Sequence, residues 1–292
     1  MTVDDLQKMN KSPKTIQIFL PDGDPTGIRI AEITTSIVKA IELPRHELES
    51  FMQMPESTQV GLYFLFGEDE ETSEKLLYIG QSGELRKRLS QHQKDREFWT
   101  KAVVLISLTN NWTQTHVTFL EWLAIREAKK TQRYLLQNGN EGSKPFTPLP
   151  LEADCTQIFT ITQSLLGTLG YPVFKALTNK EENSQEIFYC KRVANRVKAK
   201  GVMTDEGFVV LKGSKGVPSI SDIYSEKAHL REKLIKLGVA VIENQHIVFI
   251  KDYLFKTPSG AAFALLGITC NGWKEWKNQN GRTLNDVYRL AD

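Results

Sequence analysis

The sequence predicts an α+β protein in two or three units, with a small antiparallel sheet flanked by helices and a separate basic α+β C-terminal domain. Three features lead there. Short alternating apolar runs come in pairs around turn-rich spacers, the pattern of β-hairpins. Two later stretches, about 115–137 and 151–169, carry helical signals over several turns. Between them and the last third of the chain lies a polar stretch, 176–186 (Ala-Leu-Thr-Asn-Lys-Glu-Glu-Asn-Ser-Gln-Glu), which reads as the linker. At 292 residues, 40% of them hydrophobic and 25% charged, the chain can fill two cores.

In chain order, Met1 to Lys14 is polar, carries Asp4 and Asp5, and reads as a disordered start rather than a secretory signal or transit peptide. Residues 15–60 form a hairpin-helix segment. Ile16–Leu20 and Ile28–Ile33 alternate as strands around the turn Pro21-Asp-Gly-Asp-Pro25. A helix is predicted from Thr35, with Ile37, Val38 and Ile41 on one side, ending before Pro44, and a second short helix lies around Glu47–Met52. Residues 61–175 make the next unit. It opens with a hairpin, Gly61–Gly67 and Lys75–Gln81, around the acidic turn Glu68 to Glu74. Ser82 is placed to cap a helix running to about Gln93, with Glu84 in its first turn. Phe98–Leu108 contains the run Val103-Val-Leu-Ile106 and reads as a buried strand. A helix then runs from about Thr115 to Gln137 and stops at Asn138-Gly-Asn140. Prolines 145, 148 and 150 stiffen the connection to a helix over Leu151–Leu169, closed by Gly170-Tyr-Pro172.

Beyond the linker, residues 187–292 hold strands at Ile187–Val193, Arg196–Met203 and Phe208–Lys212, and a helix at Ser221–Leu237. A hairpin follows, Val239–Ile242 with Ile247–Ile250, and Thr257-Pro-Ser-Gly260 opens a short helix over Ala261–Leu266.

Several classes are excluded. The longest clean apolar run, Ala261 to Gly267, is far below the roughly 18 residues of a membrane span. Cys155, Cys190 and Cys270 are odd in number and widely spaced, which fits a reducing, cytoplasmic compartment and offers no zinc pattern. The net charge of +2 is uninformative, but its distribution is not. Residues 190–292 hold 17 Lys and Arg against 10 Asp and Glu, whereas the rest of the chain is neutral or acidic. Such a block suits a phosphate backbone as well as it suits a solvated surface.

The candidate chemistry lies in the second unit. With Glu68 opposite Ser73, the hairpin places Tyr63 directly opposite Tyr78, both phenols on one face, while Leu62, Phe64 and Phe66 face the core. Tyrosines are also simply good strand formers. Gly61 and Gly80 mark close backbone approach or strand ends. On the following helix Leu85, Arg88, Leu89 and His92 share one face, so Arg88 and His92 should sit at the rim of a packed surface. A guanidinium held there wants an anion such as phosphate, although a local carboxylate or a snorkelling side chain would also satisfy it. Glu121 falls within the apolar stripe Val117, Leu120, Ala124, Ile125 and Ala128. A carboxylate there is costly unless paired or metal-bound, or it sits at the stripe's edge in the helix's first turns.

These residues together resemble the GIY-YIG nuclease family over roughly 61–140. The first element reads Gly61-Leu62-Tyr63 and the second Tyr78-Ile79-Gly80. Arg88, His92 and Glu121 follow in the family's order. The resemblance implies a one-metal phosphodiester hydrolase in which Glu121 holds a divalent cation, Mg2+ or Mn2+. Tyr63, helped by Tyr78, would orient or deprotonate water, Arg88 would stabilise the transition state, and His92 would bond Tyr63 or take its proton. The family's asparagine falls on Asn138, with Asn140 close behind. Leu62 stands where the family name has isoleucine, and Gln81 where some relatives carry lysine.

The C-terminal stretches Gly207-Phe-Val-Val-Leu-Lys-Gly213, Leu230-Arg-Glu-Lys-Leu234 and Thr257-Pro-Ser-Gly-Ala-Ala262, and then Gly272-Trp273 to Trp276 with Asn280-Gly-Arg-Thr283, look like an uncharacterised domain that accompanies GIY-YIG nucleases. Its composition adds a role in nucleic-acid contact. Lys212, Lys215, Lys274 and Lys277 would meet the backbone, and Trp273 and Trp276 either stack on bases or fill a small core. The function expected is a metal-dependent endonuclease acting on nucleic acid, with DNA favoured. The alternatives are a non-cutting nucleic-acid-binding or regulatory protein on the same fold, and a structural module.

Overall fold

A computed structural model describes residues 13–139, 142–178, 186–192, 197–219 and 229–290. The predicted disordered start lies outside these residues except for its last two. One of those, Lys14, donates to Ser164 Oγ at 3.1 Å. The chain divides into two compact units, Met1–Ala176 and Leu177–Asp292, so the boundary falls at the predicted linker. Both are mixed α+β.

The first unit is built on one seven-stranded sheet. Its strands are β1 (Ile16–Phe19), β2 (Arg29–Ile33), β3 (Val38–Pro44), β4 (Gly61–Glu68), β5 (Lys75–Ser82), β6 (Trp99–Ser107) and β7 (Leu135–Leu136), in the order β1-β2-β3-β6-β4-β5-β7. All neighbours are antiparallel except β5 and β7. Alternation along the central strands divides the core in two. Leu62, Phe64, Phe66, Leu77, Ile79, Val103 and Leu105 pack under α3 (Gln114–Thr131) and α4 (Leu149–Thr168). Tyr63, Leu65, Ala102, Val104 and Ile106 face α1 (Leu48–Gln53) and α2 (Leu85–Asp95) through Leu48, Phe51, Leu85 and Leu89.

The helix expected from Thr35 is instead β3, paired with β6 over seven positions. Val38 and Ala40 enter one half of the core, Ile41 and Leu43 the other. A strand buried on both faces gives a continuous apolar run, and here its spacing imitates a helical stripe. The strands of residues 15–60, β1 to β3, thus join the same sheet as β4 to β7. β3 also carries Glu42, which is 1% exposed. Arg29, Lys101 at 3.3 Å and the Tyr171 hydroxyl at 2.8 Å satisfy it.

Two further boundaries move. α3 ends at Thr131, where Gln132 adopts a left-handed conformation (φ 52°). The chain then leaves the helix so that Leu135 and Leu136 can pair with β5, and Asn138-Gly139 follows a strand rather than stopping a helix. Ser82 does not cap α2. Its hydroxyl accepts from the Glu84 amide at 3.0 Å and shapes the approach, with Glu84 itself at the cap position and paired to Lys87 at 2.6 Å.

The second unit holds β8 (Ile187–Arg192), β9 (Val197–Thr204), β10 (Gly207–Val210), β11 (Lys215–Gly216), β12 (Ala240–Glu243), β13 (His246–Phe249) and β14 (Tyr253–Phe255). Their order is β12-β13-β11-β9-β10-β14, with β8 also pairing β9. Among the described residues four helices accompany them: α5 (His229–Lys236), α6 (Pro258–Leu266), α7 (Gly272–Glu275) and α8 (Leu284–Tyr288). The predicted start of α5, Ser221 to Ala228, lies outside the described residues. α6 begins as expected: Pro258 occupies its first turn and Thr257 Oγ1 accepts from the Gly260 amide at 3.1 Å. One face of the sheet buries Phe188, Cys190, Val197, Ala199, Phe208 and Val210 against α6 and Trp276. Trp276 is 0% exposed, packs on Phe208 with centroids 4.4 Å apart, and donates to the Pro258 carbonyl at 3.1 Å. Of the two readings left open for the tryptophans, Trp276 therefore takes the core one.

Candidate active site

The β4–β5 hairpin closes with Glu68 opposite Lys75, two residues wider than the pairing of Glu68 with Ser73. Asp69 explains the width: its carboxylate accepts from the Thr72 amide and hydroxyl, each at 2.7 Å, and folds the extra residues into the turn. Tyr63 therefore lies opposite Gly80, and Tyr78 opposite Leu65. An even shift preserves parity, so both phenols stay on one face. Their ring centroids are 6.3 Å apart with planes inclined by 30°. The glycines have distinct reasons. A Cβ on Gly80 would meet the Tyr63 hydroxyl at 2.3 Å, and one on Gly61 would meet the Leu105 carbonyl and Leu85 at 2.8 Å.

α2 brings the next two groups. Its buried Leu85 and Leu89 seat the helix on the sheet, and this turns His92 inward until it is 3% exposed, inside the core rather than at its rim. His92 Nε2 lies 2.8 Å from the Tyr63 hydroxyl, and its ring centroid is 5.1 Å from that of Tyr78. Half-buried Arg88 donates from Nε to the Tyr63 hydroxyl at 3.3 Å and from Nη1 to Gln91 at 2.8 Å. The Tyr63 oxygen, accepting from Arg88, is left to give its own proton to His92. Burial, with Arg88 and Arg96 adding to it, drives the His92 pKa down to about 4, so the ring is neutral near pH 7 and Nε2 can accept. Burial raises the phenol of Tyr63 well above its ordinary value, and the Arg88 hydrogen bond offsets this only in part.

Glu121 projects from the third turn of α3, whose buried stripe of Val117, Leu120, Ala124, Ile125 and Ala128 fixes the rotation of the helix. Its carboxylate accepts from the Gln81 amide and feels the Arg88 guanidinium. Burial outweighs both and pushes its pKa up to about 7. Among the described residues it forms no ion pair. Tyr63, Tyr78, Arg88, His92 and Glu121 are thus brought to one place by β4, β5, α2 and α3. Arg96 was not singled out in the sequence; its guanidinium covers the Tyr78 ring at 4.0 Å. It lies one turn beyond His92, at the end of α2, and its cation–π role left no sequence signal.

Asn138 has a different place from the one expected. Its amide binds the backbone of Ile79 in both directions, accepting at 3.0 Å and donating at 2.7 Å. It clamps the centre of Tyr78-Ile79-Gly80, so its side chain is committed to positioning β5 rather than to substrate. Asn140 lies outside the described residues. Among the described residues no group of three His, Cys, Asp or Glu is placed to hold a metal ion. No described helix is long and apolar enough to cross a membrane.

The four predicted lysines of the second unit are all exposed but do not form one site. Lys274 and Lys277 line a groove of about 620 Å³ with Tyr189 and Lys191. Lys215 stands on the sheet, opposite Lys198. Lys212 lies beyond β10, its amide bonded to Asp252. Lys191, Lys198 and Lys200 were missed, although their exposure follows from strand alternation across the Lys-Arg and Lys-Ala-Lys stretches.

Residues 188–288 match a family model described as a domain of unknown function, DUF4357. No curated protein and no solved structure matches the chain.

Proposed function

We propose that the first unit is a metal-dependent phosphodiesterase, an endonuclease of GIY-YIG type acting on nucleic acid, with DNA the favoured substrate. The observation that carries this reading is the bond from the Tyr63 hydroxyl to a neutral, buried His92 at 2.8 Å, with Arg88 and Glu121 beside it. A buried phenol is a poor base by itself. Coupled to His92 it can take a proton from water while passing its own on, so no phenolate accumulates. The water oxygen then bonds to phosphorus, the P–O ester bond breaks, and the leaving oxygen takes a proton from solvent. Arg88 neutralises charge on the pentacoordinate phosphorus.

Glu121 offers one carboxylate, free of ion pairs among the described residues, and this fits Mg2+ or Mn2+ whose other positions are filled by water and phosphate oxygens. When bound, the cation would supply charge neutralisation and acidify water. Because none of the three cysteines forms a disulfide, the reading also includes a cytoplasmic setting.

One observation favours a second reading, binding without cleavage: Tyr63 is 0% exposed, so its oxygen meets no solvent in this conformation. Incubation of supercoiled plasmid and branched DNA with Mg2+ or Mn2+ separates the two. Under the nuclease reading, Tyr63→Phe and Glu121→Ala each slow nicking by at least about 100-fold. No cleavage by the wild type under any of these conditions would put the binding reading first, and cleavage that survives both substitutions would move the active site elsewhere.

A further inference from the structure

The face of the second unit's sheet turned away from its core carries two rows of exposed lysine, while Val202 and Val209 farther along the same face are buried. Lys191 on β8 lies directly opposite Lys198 on β9, and Lys198 directly opposite Lys215 on β11. In the neighbouring row Lys277 bridges to Tyr189, and Tyr189 pairs with Lys200. Cross-strand partners share a face and stand close together, so five lysines and one tyrosine lie on the same side of the sheet. All five lysines are exposed. Among the described residues none of them takes part in an ion pair. The nearby acids are few. Glu275 lines the groove beside Lys277, Asp286 feels Lys277 but caps α8 through Thr283, and Glu186 accepts from Asn278.

Like charges directly opposite each other disfavour a sheet. Lysines on an edge strand are explained by protection against aggregation, but Lys198 and Lys200 lie on β9, which is paired on both sides. Edge protection therefore does not account for the centre of the array. The array presents lysines, point charges suited to phosphate but without the fork that reads bases, around a ring already covered by Lys191 at 4.8 Å. We propose that this face grips the phosphate backbone of nucleic acid without reading its sequence. The choice of nucleic acid among polyanions rests on the nuclease reading of the first unit.

The test measures binding of the full chain to a labelled duplex in EDTA, where no cleavage occurs, across a salt series. The variants are Lys198→Gln/Lys215→Gln and, as a charge-matched control, Lys233→Gln/Lys236→Gln on α5, which packs against the buried side of the sheet. The plot of log affinity against log salt should be shallower by about 2 for the first pair, about 0.9 for each phosphate contact removed, and nearly unchanged for the second. Thermal unfolding of each variant confirms that it is folded. Equal changes for both pairs would overturn the proposal, since net charge alone would then explain binding. So would binding of heparin or anionic vesicles in the absence of duplex binding. Tyr63→Phe separates the two readings: if it loses cleavage but keeps the wild-type salt slope, the catalytic assignment and the lysine face stand independently.

Discussion

The two candidate sites handle charge in opposite ways. In the first unit a few ionisable groups are drawn into the core and each is matched to a neighbour: Tyr63 to His92 and Arg88, Tyr78 to Arg96, Glu121 to the Gln81 amide. In the second, like charges are repeated across the exposed part of a sheet face, with no partner of opposite sign in the rows themselves. Burial couples charge to protonation, so the first site should respond chiefly to pH. Exposed charges are screened by ions, so the second should respond chiefly to salt. A chain that carries both separates two tasks, local chemistry and long-range attraction, each of which would be compromised in the other's surroundings.

The largest effect expected on stability tests the pH half of this contrast, and it is concealed in the wild type because two groups oppose each other. The pKa of His92 falls from 6.5 to about 4 on folding, so the unfolded chain binds more protons between those values and stability is lost as pH falls through them. The pKa of Glu121 rises from 4.5 to about 7, so the folded chain binds more protons there and stability is lost as pH rises. Glu121→Gln in EDTA should uncover the histidine: relative to wild type, its stability should climb by about 2 kcal/mol between pH 4.5 and 7, after allowance for the partial exposure of Glu121. His92→Gln should show the opposite trend, with the loss of about 3 kcal/mol on acidification removed. Urea unfolding at several pH values measures both. If the two variants keep the wild-type profile, these groups are not held as described, and the contrast between the units fails on its first side.

A smaller effect sharpens the geometry. Gly80→Ala places a methyl group where the Tyr63 hydroxyl sits, and neither the paired strand nor the buried ring can retreat far. A destabilisation of about 2 kcal/mol is expected, the usual cost of overpacking. The His92 pKa, followed by the ring-proton shifts in NMR, should change with it, since Tyr63 must move. A folded, equally stable Gly80→Ala protein with an unchanged His92 titration would show that Tyr63 is not locked against β5.

How much of this was legible in the sequence depended on the kind of interaction. Period-two alternation placed Tyr63 and Tyr78 on one face despite a register error of two residues, because parity survives an even slip. Helical spacing placed Arg88, His92 and Glu121 correctly on their helices. β3 was misread because Val38, Ile41 and Leu43 fill two sides of a central strand, and an apolar run buried on both faces has no period of its own to show. The end of α3 was misread because a sheet edge 59 residues away in sequence competes for the chain there, through Asn138 and Ile79. The lysine array was half legible. Charge counting found the basic third of the chain, but the pairing of Lys191, Lys198 and Lys215 belongs to strand register, which no local signal in the sequence specifies.

The smallest effect closes the contrast on the side of the second unit. If Lys198 stands between two lysines of neighbouring strands, its removal should relieve repulsion rather than break a contact. Lys198→Gln is therefore expected to stabilise the protein by about 0.3 kcal/mol at low ionic strength, within the range for a like-charge pair on adjacent strands. That gain should vanish in about 0.5 M salt, where the screening length falls to a few ångströms. A favourable packing contact made by Lys198 would behave in the reverse manner, with a loss of stability that salt does not remove. Denaturant unfolding of wild type and variant at two salt concentrations decides between them. A stabilisation that disappears on screening would mean that the sheet holds these charges together against its own folding preference, which is what a surface built for a phosphate backbone would have to do.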